Sequence, residues 1–182
     1  MKTIILIFGI ALIVLKSEAQ NQVKFSADKV QTFVTYSMSH PMHDWDGTSR
    51  DVNSVLIYNT DSKQIEKVAV SIPVSTFDSQ NANRDSHMIE VVEGIKYPVI
   101  TFVSTSITSD DSKLTVNGNI VFHGVTKPVT FDATYKITDQ RIEVTGRFTV
   151  NMSDFKIESP SLMGMSAKDE IVIKIIVVYK PK

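Results

Sequence analysis

The chain has 182 residues, no cysteine, and 19 lysines and arginines against 20 aspartates and glutamates, for a net charge of −1. That length suits one ordinary domain, and the near-neutral balance offers no electrostatic footprint for nucleic acid. Without cysteine there is no disulfide framework, so stability must come from an apolar core.

The N-terminus starts with Lys2, an apolar run from Ile4 to Leu15, and then "KSEAQ". The run is too short for the roughly 20 helical residues that cross a bilayer. Ser17 and Ala19 stand where a signal peptidase wants small residues. The sequence therefore predicts a cleaved secretory signal over 1–19 and one domain over 20–182, periplasmic or secreted. No cysteine follows the cut to carry a lipid anchor.

Period-two alternation dominates the rest, as expected of half-buried strands. Strands are predicted over roughly 30–38, 51–59, 65–73 and 99–107. "KLTVNGNIVFH" (113–123) sets Leu114, Val116, Gly118, Ile120 and Phe122 on one face. "PVTFDATYKIT" (128–138) does the same with Val129, Phe131, Ala133, Tyr135 and Ile137. "RIEVTGRFTVN" (141–151) repeats it with Ile142, Val144, Gly146, Phe148 and Val150, and a last strand covers 169–180. Only "NANRDSHMIEVVEG" breaks the pattern, spacing Arg84, Met88 and Val91 like a short helix that ends by Gly94. Eight consecutive strands and one short helix predict an all-β, eight-stranded antiparallel up-and-down barrel, with a two-sheet sandwich as the competing arrangement.

In that topology alternate connections share an end. The short polar turns near 59–64, 108–112 and 138–141 fall at one end. The links 39–50, 74–98, 123–127 and 153–168 fall at the other, with His40, His43, His87, His123, Met42, Met88, Met163 and Met165. That second end reads as a mouth. Pairing Phe122 with Val129 and Ile137 with Ile142 would set Gly118, Ala133 and Gly146 in one row. Three small inward residues side by side predict an apolar cavity there, unless bulky residues from elsewhere fill the space.

Several stretches resemble the YceI-like family, whose fold is a lipocalin-like barrel. They are "FSADKVQTFVTYSMSH" (25–40), "RDSHM" (84–88), "KYPVITF" (96–102), "HGVTKPVTFD" (123–132), "SDFKI" (153–157) and "DEIVIKIIVVY" (169–179), in that order. The family often has Asp-x-x-His-Ser near its start. Here Asp28 is followed by Gln31 and Thr32, so that histidine's role does not carry over. The resemblance implies an exported protein that binds a polyisoprenoid or similar long-chain amphiphile, with an isoprenoid lipid or quinone as the only bound group and no settled enzymatic activity. It leaves room for transient contact with a membrane or membrane protein and for a homodimer.

On this reading the ligand's tail meets Val34, Tyr36, Met38, Leu114, Val116, Gly118, Ile120, Phe122, Phe131, Ala133, Tyr135, Val144, Gly146 and Phe148. Its head meets His40, Trp45, Arg84, His87 and His123. Asp85, Ser86 and His87 are adjacent on one helical turn and point in different directions, so they do not form a nucleophilic triad. Arg84 and Asp85 are expected to tie the helix to the mouth, and Lys127 and Asp154 to brace loops; no enzyme is predicted. A metal reading competes, with zinc or copper held by His40, His43, His87 and His123 beside methionines. Against it, "HPMH" lacks the regular spacing that aims two imidazoles at one point. A ligand-free interaction module is the third reading.

Overall fold

The computed structural model describes residues 21–138 and 141–181. The expected secretory signal, and Asp139 and Gln140 in the last polar turn, lie outside the described residues.

Among the described residues twelve strands form: β1 (Gln22–Ala27), β2 (Phe33–His40), β3 (His43–Ser49), β4 (Asn53–Asn59), β5 (Gln64–Pro73), β6 (Val99–Asp110), β7 (Lys113–Phe122), β8 (Val125–Thr138), β9 (Arg141–Asn151), β10 (Ser161–Leu162), β11 (Met165–Ser166) and β12 (Glu170–Pro181). The helix α1 spans Ala82–Val91 between β5 and β6. Strands β1, β4, β5, β6, β7, β8, β9 and β12 close into an eight-membered antiparallel ring, because β12 pairs with β1. The hairpin β2–β3 extends that ring toward the mouth. One side of β12 pairs with β1 at its end (Ala27↔Tyr179) and with β2 at its start (Val172↔Ser37). Thus β1 and β2 act as one bent stave, and β3 and β4 as the next.

The bend between β1 and β2 is fixed by Asp28 and Thr32. The Asp28 carboxylate accepts from the Val30 and Gln31 N–H groups at 2.9 and 3.0 Å and pairs with Lys180. Thr32, fully buried, accepts from the Val178 N–H at 3.1 Å. These contacts hold the carboxyl of Asp28 down to about 2, with Lys180 the largest cause and the Gln31 and Val30 amides next.

Two expectations change. The segment 39–50 is a tight β2–β3 hairpin rather than a long link, with His40 opposite His43 around Pro41 and Met42. The connection read as 123–127 is a two-residue turn. His123 and Gly124 both have positive φ, 51° and 71°, so β8 starts at Val125. This shifts the register by four residues. Phe122 faces Val125, Gly118 faces Val129, and Ala133 lies between Leu114 and Gly146. Ile137 does face Ile142. Gly118 is therefore out of the row. A Cβ there would lie 2.4 Å from the Phe102 ring, and one on Gly146 would lie 3.2 Å from Ile175 and from Ala133. Neighbouring side chains already occupy the space beside both glycines.

The inward faces form two apolar clusters. One, around Leu56, Ile65, Leu114, Ile142 and Tyr179, closes the end with the short turns. The other, around Tyr36, Val74, Phe77, Val92, Phe155 and Ile157, lies toward the mouth. Between them Phe131 stacks on Phe148 at 4.5 Å and meets Phe102 at 5.8 Å. The wall is not evenly paired. Strand β8 joins β9 only from Ala133↔Gly146 to Thr138↔Arg141. The first half of β8 has β7 on one side only, an edge-like setting that tolerates Pro128. The segment from Ser153 to Ile157 covers the gap. Phe155 is buried there, 5.5 Å from the Phe122 ring, and Asp154 pairs with Lys127 at 3.6 Å.

Candidate functional site: an apolar cavity with a polar mouth

Inside the ring runs a cavity of about 230 Å³, lined from Leu114, Ile65 and Tyr179 at the floor to Met88, Ile157 and Pro160 at the mouth. From Leu114 to Phe122 the strand rises about 26 Å, or roughly 20 Å along the barrel axis at a tilt of about 40°. Nearly every lining group is aliphatic or aromatic. Those that carry an N–H or O–H group are Tyr36, Trp45, Arg84, His87, Thr101 and Tyr179. Tyr179 lies at the floor, its hydroxyl 2.7 Å from that of Ser54, and burial pushes its phenol up to about 12. Tyr36, Trp45, Arg84 and His87 belong to β2, β3 and α1, the elements of the mouth.

The helix faces the cavity with Arg84, His87, Met88 and Val91, the i, i+3, i+4, i+7 stripe of one helical face. Asn81 caps it by accepting from the Arg84 N–H at 3.1 Å. Asp85 anchors it, accepting from the Ser79 N–H at 3.1 Å and hydroxyl at 2.6 Å. Arg84 instead lays its guanidinium over the Trp45 ring, 5.5 Å from the centroid. Of the two residues expected to tie the helix down, Asp85 does so by hydrogen bonds and Arg84 by stacking.

Tyr36 lines the same mouth. Its ring lies over Gly47, where a Cβ would be 2.3 Å from the ring, and against Phe77 at 5.5 Å. Its hydroxyl is buried and has no hydrogen-bond partner among the described residues. Burial raises this phenol above its ordinary range. Trp45 opposes that shift without a hydrogen bond of normal geometry.

A family model described as the YceI-like domain matches residues 25–179. The chain belongs to the YceI-like family. Protein YceI of Salmonella newport is 30% identical over 138 residues, which is 73% of this chain and 72% of that relative. Among solved structures, BcnA of Burkholderia cenocepacia aligns at a TM-score of 0.75 and 18% identity, covering 84% of this chain and 98% of that one. A polyisoprenoid binding domain from Saccharophagus degradans aligns at 0.70 and 13% identity, covering 88% and 99%. These low-identity likenesses show the fold.

In this YceI-like barrel, Val34, Tyr36, Met38, Leu114, Val116, Ile120, Phe122, Phe131, Val144 and Phe148 line the cavity. Gly118, Ala133, Tyr135 and Gly146 do not. The glycines are overlain by neighbours and Ala133 lies beneath Gly146 in the wall cluster, while Tyr135 packs on that cluster without reaching the lumen. Of the expected head-group residues, Trp45, Arg84 and His87 line the mouth. His40 and His123 do not, because both are structural. His40 is buried, with Nε2 3.0 Å from the Met165 carbonyl and Nδ1 accepting from the Met42 N–H at 3.2 Å. It pins the small β10–β11 hairpin to the β2–β3 turn. His123 places Nδ1 2.9 Å from the Phe155 carbonyl and Nε2 2.7 Å from the Glu93 carboxylate. It joins the β7–β8 turn, the end of α1 and the segment covering the wall gap, and it holds the Glu93 carboxyl below its usual range.

The four histidines are thus dispersed. His40 and His43 lie 5.6 Å apart ring to ring, whereas His87 is on α1 and His123 is engaged elsewhere. Among the described residues, no three or more His, Asp or Glu come together as a metal cage would need. Sequence reasoning passed over Ile171, Ile173, Ile175 and Val177 of β12 and Val68, Val70 and Ile72 of β5, all lining the cavity. Their alternation, with Lys174 outward, carried that signal.

Proposed function

We propose that this protein is an exported binding protein, not an enzyme, that holds a long-chain amphiphile in its barrel as carrier or reservoir. The ligand classes that fit are a polyisoprenoid, an isoprenoid quinone or a fatty-acid derivative. The observation that carries this reading is an elongated, nearly all-apolar cavity inside the barrel, with Tyr36, Trp45, Arg84 and His87 gathered at its mouth. A chain of methylene or isoprene units fills such a space, while its head stays at the mouth. The polyisoprenoid binding described for the Saccharophagus degradans domain supports the same ligand class.

Tail burial is worth about 0.8 kcal/mol per methylene when the chain comes from water. A membrane already shelters the chain, so transfer from a bilayer gains little from the tail alone. Selectivity then depends on cavity shape and head-group contacts, which favours exchange over irreversible capture. The family resemblance favours a stress-related role for the carrier, and the N-terminal apolar run favours a periplasmic or secreted location.

The test is to incubate the protein with vesicles carrying a radiolabelled C20 prenol and separate the two by gel filtration. Label eluting with the folded protein is the expected result. Label remaining with the vesicles, at every protein concentration, would overturn the reading.

A further inference from the structure

The cavity contains two buried phenols, and they are treated differently. At the floor Tyr179 is satisfied by Ser54. At the mouth the Tyr36 hydroxyl, in a residue only 8% exposed, has no hydrogen-bond partner of normal geometry among the described residues. A buried donor is left unpaired at a real cost to stability, so such a group in a native site points to a partner supplied from outside. Arg84 beside it is cationic at all ordinary pH, stacks on Trp45, and forms no ion pair among the described residues. His87 lies one turn further along the same helical face. The nearest carboxylate on the helix, Asp85, is committed to Ser79.

From this juxtaposition we infer that the mouth selects amphiphiles with a singly charged, acceptor-only head, such as a carboxylate, bound by the Tyr36 hydroxyl and the Arg84 guanidinium. The inference rests on the amphiphile-binding reading above and narrows it. Tyr36 and Arg84 both line the mouth, a phenol O–H and a guanidinium are both donors, and a carboxylate offers acceptors to both. An alcohol head accepts but carries no charge for Arg84. An amine head would set cation against cation. One guanidinium matches one negative charge.

The chain contains a single tryptophan, Trp45, so its fluorescence reports on the mouth directly. The experiment titrates the native protein with three C20 isoprenoids of the same tail: geranylgeranoic acid, geranylgeraniol and geranylgeranylamine. The acid should bind at least about tenfold more tightly than the alcohol, and the amine most weakly, as expected for a charge-assisted hydrogen bond. Arg84→Gln should abolish the acid's advantage over the alcohol. Tyr36→Phe, which keeps the ring on Gly47, should weaken the acid about fivefold to tenfold. Thermal melting without ligand confirms that both variants fold. Equal affinity for all three heads, or a preference for acid that survives Arg84→Gln, would overturn the inference and leave the cavity reading intact. Binding of none of the three by folded protein would overturn both.

Discussion

Gly47 shows how one residue sets the mouth. It is the only residue type that lets the Tyr36 ring lie flat on β3, since any Cβ would fall within 2.3 Å of that ring. Gly47→Ala should push Tyr36 into the cavity and destabilise the fold by about 1–3 kcal/mol, the usual cost of overpacking, as measured by urea denaturation. Asp28 acts at the bend between β1 and β2. In the fold its pKa is held down to about 2, below the ordinary carboxyl value of 3.8, so it stabilises the fold when ionised in both states. That contribution is complete above about pH 4 and is lost as pH falls toward 2. Asp28→Asn should therefore lower stability at neutral pH and flatten the acid limb of the stability profile between pH 4 and 2. An unchanged acid limb would show that Lys180 and the turn amides do not hold this carboxylate in solution.

The elements differ in how plainly the sequence announces them. Strands β7 and β9 alternate large apolar residues with polar ones, and α1 carries both its cap and its stripe, so each was legible. The β2–β3 hairpin was not. The inward positions of β3 are Trp45, Gly47 and Ser49, which fit around Tyr36 and α1 but show no run of branched residues, while His43 at the strand's start is exposed. The register of β8 was hidden for a related reason. Pro128 reads as the start of a strand, whereas it lies inside one, in a half that lacks a second neighbour. The cavity was read from the row Gly118, Ala133 and Gly146, which the register breaks and which does not line the lumen, because a glycine row says nothing about which neighbour leans over it. At this scale two connections are testable. Asp85→Ala should remove both bonds to Ser79, costing about 1–2 kcal/mol locally, so that α1 amides exchange hydrogen before those of the barrel strands. His123→Ala should release the segment over the β8–β9 gap, making residues 153–168 the first site of limited proteolysis while the barrel stays folded.

The whole molecule divides its interior unevenly. The floor cluster is filled, with Leu56 and Ile142 fully buried, and the cavity extends upward past the Phe102–Phe131–Phe148 waist to a mouth roofed by α1 and by hairpins that His40 ties together. Closure of the ring through β12, with the 153–157 segment over the half of β8 that lacks a second neighbour, lets the wall keep its shape when empty. A residue that fills the lumen should then cost binding without costing the fold. Val116, buried and lining the cavity from β7, is suited to that test. The most direct measurement is native mass spectrometry of the parent and of Val116→Phe, both purified without detergent or chelator and matched by circular dichroism. The account predicts a solvent-extractable adduct of several hundred daltons on the parent and its loss from the folded variant. An adduct retained at full occupancy by Val116→Phe, or a parent protein that is bare after loading with a C20 isoprenoid, would contradict the barrel cavity as the ligand site.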